Sequence, residues 1–410
     1  MRILRKLLVT STMLCGAGVA NAADLEVMHW WTAGGEAAAV AEFAKAFDAT
    51  GNHWVDGAIA GSGSTARPIM ISRIIGGNPP AAFQFNHGRQ ADELIEAGLL
   101  RDITDVAKAQ GWADVVNPPS LLDACTVDGR IYCAPVNIHS WQWLWLSHAA
   151  FEKAGVPMPG TWAEYVAAAP ALKEAGIIPL ALGQQGWQRA GVFNVMMASL
   201  IPAETYLAVY QDKDSDTAAG PEIASVFQAA AEARDMSVDS TVQNWNDATN
   251  LVITGRAAGQ IMGDWAQGEF AMAGQVAGTD YSCLPGLGTN PRLGTGGDAF
   301  YFPVLKNADQ TAAQDVLAAT LLDPKVQVEF NLRKGSLPVR GDIDMSTAND
   351  CMRKGLDLLK EGSTLPDPNM LITQDSTTQL NDLFNEFFAD PNMTPEAAQA
   401  RFVEIISDAE

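Results

Sequence analysis

Apolar and polar positions alternate from Leu25 to His29, the period of a half-buried strand. An alanine-rich helical stretch follows from Glu36 to Phe47 and stops near Gly51. Trp54 to Ala60 reads as a second strand, after which Gly61-Ser62-Gly63-Ser64 leads into an amphipathic helix through Arg67 and Ile75. Asn78-Pro79-Pro80 breaks that helix, and Ala81 to Phe85 forms a short strand ending at Asn86-His87-Gly88. A further helix through Leu94 ends at Gly98. This βαβα order predicts a largely parallel sheet with helices on both faces.

Beyond Pro135 a second unit begins. Trp141-Gln142-Trp143-Leu144-Trp145-Leu146 alternates, which places three tryptophans on one face of a strand, a stripe that reads as core. Thr161-Trp162-Ala163-Glu164 is a capping box opening a helix that ends near Gly176. Ile177 to Leu182 is a buried strand, and helical segments fill most of 190 to 275. Gly296-Gly297 then turns into a strand through Phe302, followed by helices over Ala308–Leu322 and from Asp323-Pro324 onward. Lys334 to Arg340 is extended, and the C-terminal part is helical with interruptions at Pro366 and Pro368. No polar linker divides the chain into consecutive halves, which suits lobes built from discontinuous segments.

Residues 1–22 read as a secretory signal: Arg2, Arg5 and Lys6, an apolar stretch from Leu7 to Ala20, and Ala20-Asn21-Ala22 as the small-x-small site cleaved after Ala22. The apolar run is short and carries Ser11, Thr12 and Gly16, so an exported, soluble product is expected rather than an anchored one. What remains of the 410 residues exceeds what one hydrophobic core usually organises, so two lobes are expected. The formal charge of −22 argues against nucleic acid and anionic membranes, which call for basic patches. Past the signal four cysteines are left, and an even number in an exported chain favours disulfides. Cys125 and Cys133 flank an Asp-Gly turn, so a hairpin staple is their natural pairing, with Cys283 and Cys351 closing a long loop; sequence leaves this connectivity open. Neither the cysteine spacing nor the five scattered histidines resembles a zinc ligand set, and no cofactor is expected.

The chemistry is concentrated at His29-Trp30-Trp31-Thr32-Ala33-Gly34-Gly35-Glu36, where the first strand runs into the first helix. Flat aromatic faces beside a carboxylate suit a sugar ring, which offers an apolar face to stack on and hydroxyls to bond; packing in a core is the competing reading. With Pro135-Val136-Asn137-Ile138-His139, Met262-Gly263-Asp264-Trp265-Ala266, Gly297-Asp298-Ala299-Phe300 and Lys334-Gly335-Ser336-Leu337-Pro338-Val339-Arg340, in that order, the chain resembles family 1 extracellular solute-binding proteins of bacterial ABC sugar importers, in the branch that binds glucose and related monosaccharides.

The resemblance implies an α/β, two-lobed periplasmic-binding-protein fold, with mixed β-sheets flanked by helices and discontinuous lobes joined by a hinge. The lobes expected are 23–137 plus 284–335 and 138–283 plus 336–410. It implies a monomeric periplasmic binder that delivers its sugar to permease subunits of an ABC importer and is not an enzyme. Trp30, Trp31, Glu36 and His87 match one cleft wall; Trp245 and Trp265 match aromatic positions of the other; Asp298 and Lys334 match polar positions holding hydroxyls. Lys334 and Asp298 pairing with each other, and His87 capping a helix, are the plainer alternatives. Asn137 and His139 are shared between hinge and binding roles, and Asp264 between capping a helix and touching sugar. Glucose binders of this branch carry a C-terminal histidine; Leu365 to Thr373 has none, and Asn369 takes its place, which leaves disaccharides, polyols and other hydroxylated solutes open. The rival class is an exported glycoside hydrolase with Glu36, Asp264 and Asp298 as candidate carboxylates.

Overall fold

The computed structural model describes residues 22–409, so the expected leader lies outside the described residues apart from Ala22. Two sheets organise the chain. The first runs, edge to edge, His53–Ala58, Asp24–His29, Ala82–Asn86, Asp298–Tyr301 and Cys133–Pro135. Its first three strands are mutually parallel, as the βα alternation predicts, while Asp298–Tyr301 is antiparallel to both neighbours. That strand comes from far along the chain, so the sheet is mixed and sequence-discontinuous.

The second sheet runs Tyr281–Pro285, Trp143–Ser147, Ala257–Ile261 and Ile178–Ala181. Only its last pair is parallel. Two features differ from the pattern-based reading. Ala257–Ile261 is a fully buried strand paired on both sides, inside the stretch read as helical. Its composition, Ala-Ala-Gly-Gln-Ile, has little β-propensity, and burial in the sheet overrides it. Trp141 also leaves the stripe: the Trp143 N–H donates to the Trp141 carbonyl at 2.7 Å, a tight turn that starts the strand only at Trp143. Trp143 and Trp145 are buried and stacked at 5.7 Å, as core. Tyr281–Pro285 passes through the expected junction at 283/284, with Leu284 and Pro285 still paired to Leu144 and Trp143.

Helices cover both sheets. Gly34–Asp48 presents Phe43 to Phe330 in a stacked contact at 4.1 Å. Its first turn meets Ala266–Met272 so closely that a Cβ on Gly35 would lie 2.6 Å from the Gly268 Cα. There the Gly35 N–H donates to Glu269 Oε1 at 2.8 Å, giving that helix an acidic cap from a distant element. Thr161 accepts from the Glu164 N–H, but Glu164 returns the bond to Gly160, one residue earlier than a standard capping box. The C-terminal helices Gln374–Ala389 and Pro395–Ser407 pack on Gly186–Leu200 and Pro221–Met236, with Phe193 stacked on Phe384 at 4.0 Å. Disulfides join Cys125 to Cys133 and Cys283 to Cys351. Among the described residues no helix is long and apolar enough to cross a membrane.

Candidate functional site

Both sheets turn corresponding edges toward one cavity. In the first, Trp30, Trp31 and Asn86 stand at the carboxyl ends of parallel strands, and Asp298 opens the antiparallel strand opposite Asn86. In the second, Trp265 follows Ala257–Ile261, Gln185 follows Ile178–Ala181, and Trp141 precedes the antiparallel Trp143–Ser147. All of these line a cavity of about 380 Å³. Crevices beyond the carboxyl ends of parallel strands are where open α/β sheets place ligands.

A charged cluster lies on its wall. Lys334 Nζ is 3.6 Å from Glu36 and 3.7 Å from Asp298, and 5.5 Å from each of the Trp31 and Trp265 rings. Asp298 accepts from Gln84 Nε2 at 2.8 Å and Asn137 Nδ2 at 2.9 Å, and lies 3.3 Å from His139 Nδ1. Burial alone would raise its carboxyl, but His139, Lys334 and these hydrogen bonds prevail and hold it well below the usual carboxylate range. Glu36 goes the other way: burial, reinforced by Asp298 and Glu269 against Lys334, pushes it up to about 7. Two carboxylates sharing one lysine are thus shifted in opposite directions.

The aromatic side is built around Trp265. It meets Trp141 edge-on at 4.8 Å, His139 at 5.5 Å and Trp245 at 6.5 Å. Glycines make the room: a Cβ on Gly263 would run into the Trp265 ring, and one on Gly191 into Trp141. Perpendicular indoles give a wall that offers both faces and edges, which is the geometry for packing C–H groups of a saturated ring.

Residues 31–328 match the family described as bacterial extracellular solute-binding protein. The chain belongs to that family. A probable sugar-binding periplasmic protein of Rhizobium meliloti is 36% identical over 359 residues, covering 87% of this chain and 86% of its own. Among solved structures, the chitin oligosaccharide binding protein superposes with a TM-score of 0.76 at 19% identity, over 95% of this chain and 99% of that one. The bacterial solute receptor AcbH, described as exclusively preferring β-D-galactopyranose, superposes with a TM-score of 0.77 at 18% identity, over 93% and 98%. The extracellular solute-binding protein therefore has the two-lobed periplasmic-binding-protein fold.

Of the residues singled out by sequence in this solute-binding protein, Trp30, Trp31, Glu36, His139, Trp245, Trp265, Asp298, Lys334 and Asn369 line the cavity. The other three lie behind its wall. Asn137 holds both the Asp298 carboxylate and the Asp298 N–H. Asp264 caps no helix: it accepts from the Ser140 N–H at 2.9 Å, and burial pushes it up to about 7. His87 is no cap either; it is buried with neither ring nitrogen bonded, and burial pulls it down to about 3. Lys334 and Asp298 do pair, with Glu36 as a third member. The Asn369 amide donates one N–H to Asp367 at 2.7 Å, which leaves its second N–H and its carbonyl oxygen for the cavity.

Sequence reasoning missed Gln84, Asn86, Arg67, Trp141 and Trp187. Gln84 and Asn86 share a strand face, and their parity with respect to each other was a usable signal. Gln84 ties Asp298 to the Trp30 N–H, linking both strand ends of the site. Trp187, on a helix start, meets Trp141 at 5.6 Å, a contact with no signature in local spacing. Among the described residues no group of histidine, cysteine and carboxylate side chains is placed to hold a metal.

Proposed function

We propose that this solute-binding protein captures a glucose-like monosaccharide in the cavity between its sheets and hands it, chemically unchanged, to the permease subunits of an ABC importer in the periplasm. The observation that carries this is the Glu36–Lys334–Asp298 cluster set 5.5 Å from two indole rings: charged hydrogen-bonding groups for hydroxyls beside apolar faces for a pyranose. A volume of about 380 Å³ sits at the small end of ligand sites, generally ~300–1,000 Å³. The Rhizobium meliloti relative, named as sugar-binding and periplasmic, agrees in class. Against hydrolysis, Lys334 bridges Glu36 and Asp298 rather than leaving an acid and a base free on opposite sides of a bond.

Capture works by differential contact. The lobes built on the two sheets each supply one wall, and a sugar touching both favours their closed arrangement. A group placed for a hydroxyl is left buried and unpaired when an analogue lacks it, which gives selectivity. A second reading, a longer saccharide, draws on the further polar lining supplied by Asn194, Gln374 and Asn381. Calorimetric titration with glucose, galactose, xylose and maltose separates the two. The tightest binding is expected for a monosaccharide; tighter maltose binding favours the second reading, and failure of all four rejects a neutral saccharide under either reading.

A further inference from the structure

The cavity has two strongly basic side chains, and they are treated differently. Lys334 sits between two carboxylates. Arg67 pairs with no carboxylate among the described residues; its guanidinium carbon lies 5.9 Å from the centre of the Trp30 ring. Burial pulls its guanidinium down to about 10, with no carboxylate offsetting the loss of water. The helix that carries it adds to that bias. Arg67 lies on the helix Ser62–Ile75, which begins beyond the carboxyl end of His53–Ala58. Ser62, Gly63 and Ser64, the first turn of that helix, line the cavity, and no side chain caps it. The uncapped first turn and the positive end of the helix dipole therefore border the same cavity as the guanidinium. Gly63 keeps that space open, since a Cβ there would lie 2.9 Å from Arg67 Nη1 and 3.3 Å from the Trp30 ring. In a chain of formal charge −22, a cation set in a binding cavity without an acid partner is conspicuous.

We propose that the end of the cavity formed by Trp30, Arg67 and the first turn of the Ser62–Ile75 helix takes a carboxylate, so that the sugar captured is an acidic one of the uronate type. This deepens the sugar-binding reading and rests on it. The carboxylate meets the planar guanidinium fork and the helix N–H groups, while the ring hydroxyls meet Asp298, Lys334 and Glu36. A carboxylate matches the single cation there in charge; a phosphate, with its second charge, does not.

The test is calorimetric titration of the full exported protein with glucose, galactose, glucuronate, galacturonate and glucose 6-phosphate, at low and high salt. One uronate is expected to bind at least tenfold tighter than its parent hexose, with the advantage shrinking as salt rises. Arg67→Met is expected to cut the uronate-to-hexose affinity ratio at least tenfold, and Arg67→Lys to restore part of it. Both hexoses binding as tightly as their uronates overturns the proposal, as does an Arg67→Met variant in which the ratio is unchanged. Glucose 6-phosphate binding tighter than glucuronate overturns the carboxylate assignment in favour of a phosphate. Failure of every sugar, neutral and acidic, rejects the sugar reading itself, a different result from neutral sugars binding well.

Discussion

Lys334 sets the charge on the carboxylates around it. Replacing it by methionine leaves Asp298 and Glu36 buried without their shared cation, an arrangement that commonly costs ~3–5 kcal/mol. Glu36 can escape by taking a proton, so the expected loss of stability in Lys334→Met is smaller at pH 5 than at pH 8, read from urea unfolding at each pH. Sugar affinity should fall at least tenfold, about 1.4 kcal/mol. Glu36 itself makes a signed prediction. Its folded value of about 7 exceeds the ordinary 4.5, so the folded protein keeps a proton that the unfolded chain has already released. That contribution is complete below pH 4.5 and is lost as pH rises through about 7. Against Glu36→Gln, in which the group does not titrate, wild type should lose relative stability between pH 5 and pH 8; a constant gap between the two unfolding midpoints counts against it. Trp30, Trp31 and Glu36 were legible because they sit together at one strand-to-helix junction. Arg67 and Gln84 were not, because what makes them part of the site is a neighbour brought in by the sheet and by the helix that follows it.

At the scale of elements, Gly34–Asp48 and Ala266–Met272 approach with backbone against backbone. A methyl on Gly35 meets the Gly268 backbone, which has no rotamer to yield. Gly35→Ala is expected to destabilise by about 1–3 kcal/mol and to displace the Glu269 cap, with the larger effect on ligand affinity if the two helices must stay in contact to shape the cavity. Guanidinium unfolding and a sugar titration on the same variant check both. Elements whose own residues specify them were readable: Asp323-Pro324 starts Pro324–Lys334, with Asp323 accepting from the Lys325 and Val326 N–H groups. Ala257–Ile261 was not readable, since its strand state comes from the partners on both sides rather than from alanine, glycine and glutamine. The same holds for Trp141, whose departure from the stripe depends on one turn hydrogen bond.

For the whole molecule, ligand-driven closure predicts a smaller radius of gyration by solution scattering when the preferred sugar is added, and no change with a sugar that does not bind. Two lobes were foreseeable from chain length, one largely parallel sheet from the βα alternation, and the mixed, discontinuous two-lobed fold from the family resemblance; the entry of Asp298–Tyr301 into the first sheet is a long-range pairing that local pattern does not encode. Removing the Cys283–Cys351 bridge, with a sequence separation of 68, should cost about 4 kcal/mol by the chain-entropy relation, measured as the change in unfolding free energy of the Cys283→Ser/Cys351→Ser variant. The loop it closes contains Asp298 and Lys334. A protease that severs one exposed peptide bond inside that loop would therefore yield a molecule still in one piece. It would migrate as two fragments only after reduction, and its ion pair would stay fastened from both flanks in the meantime.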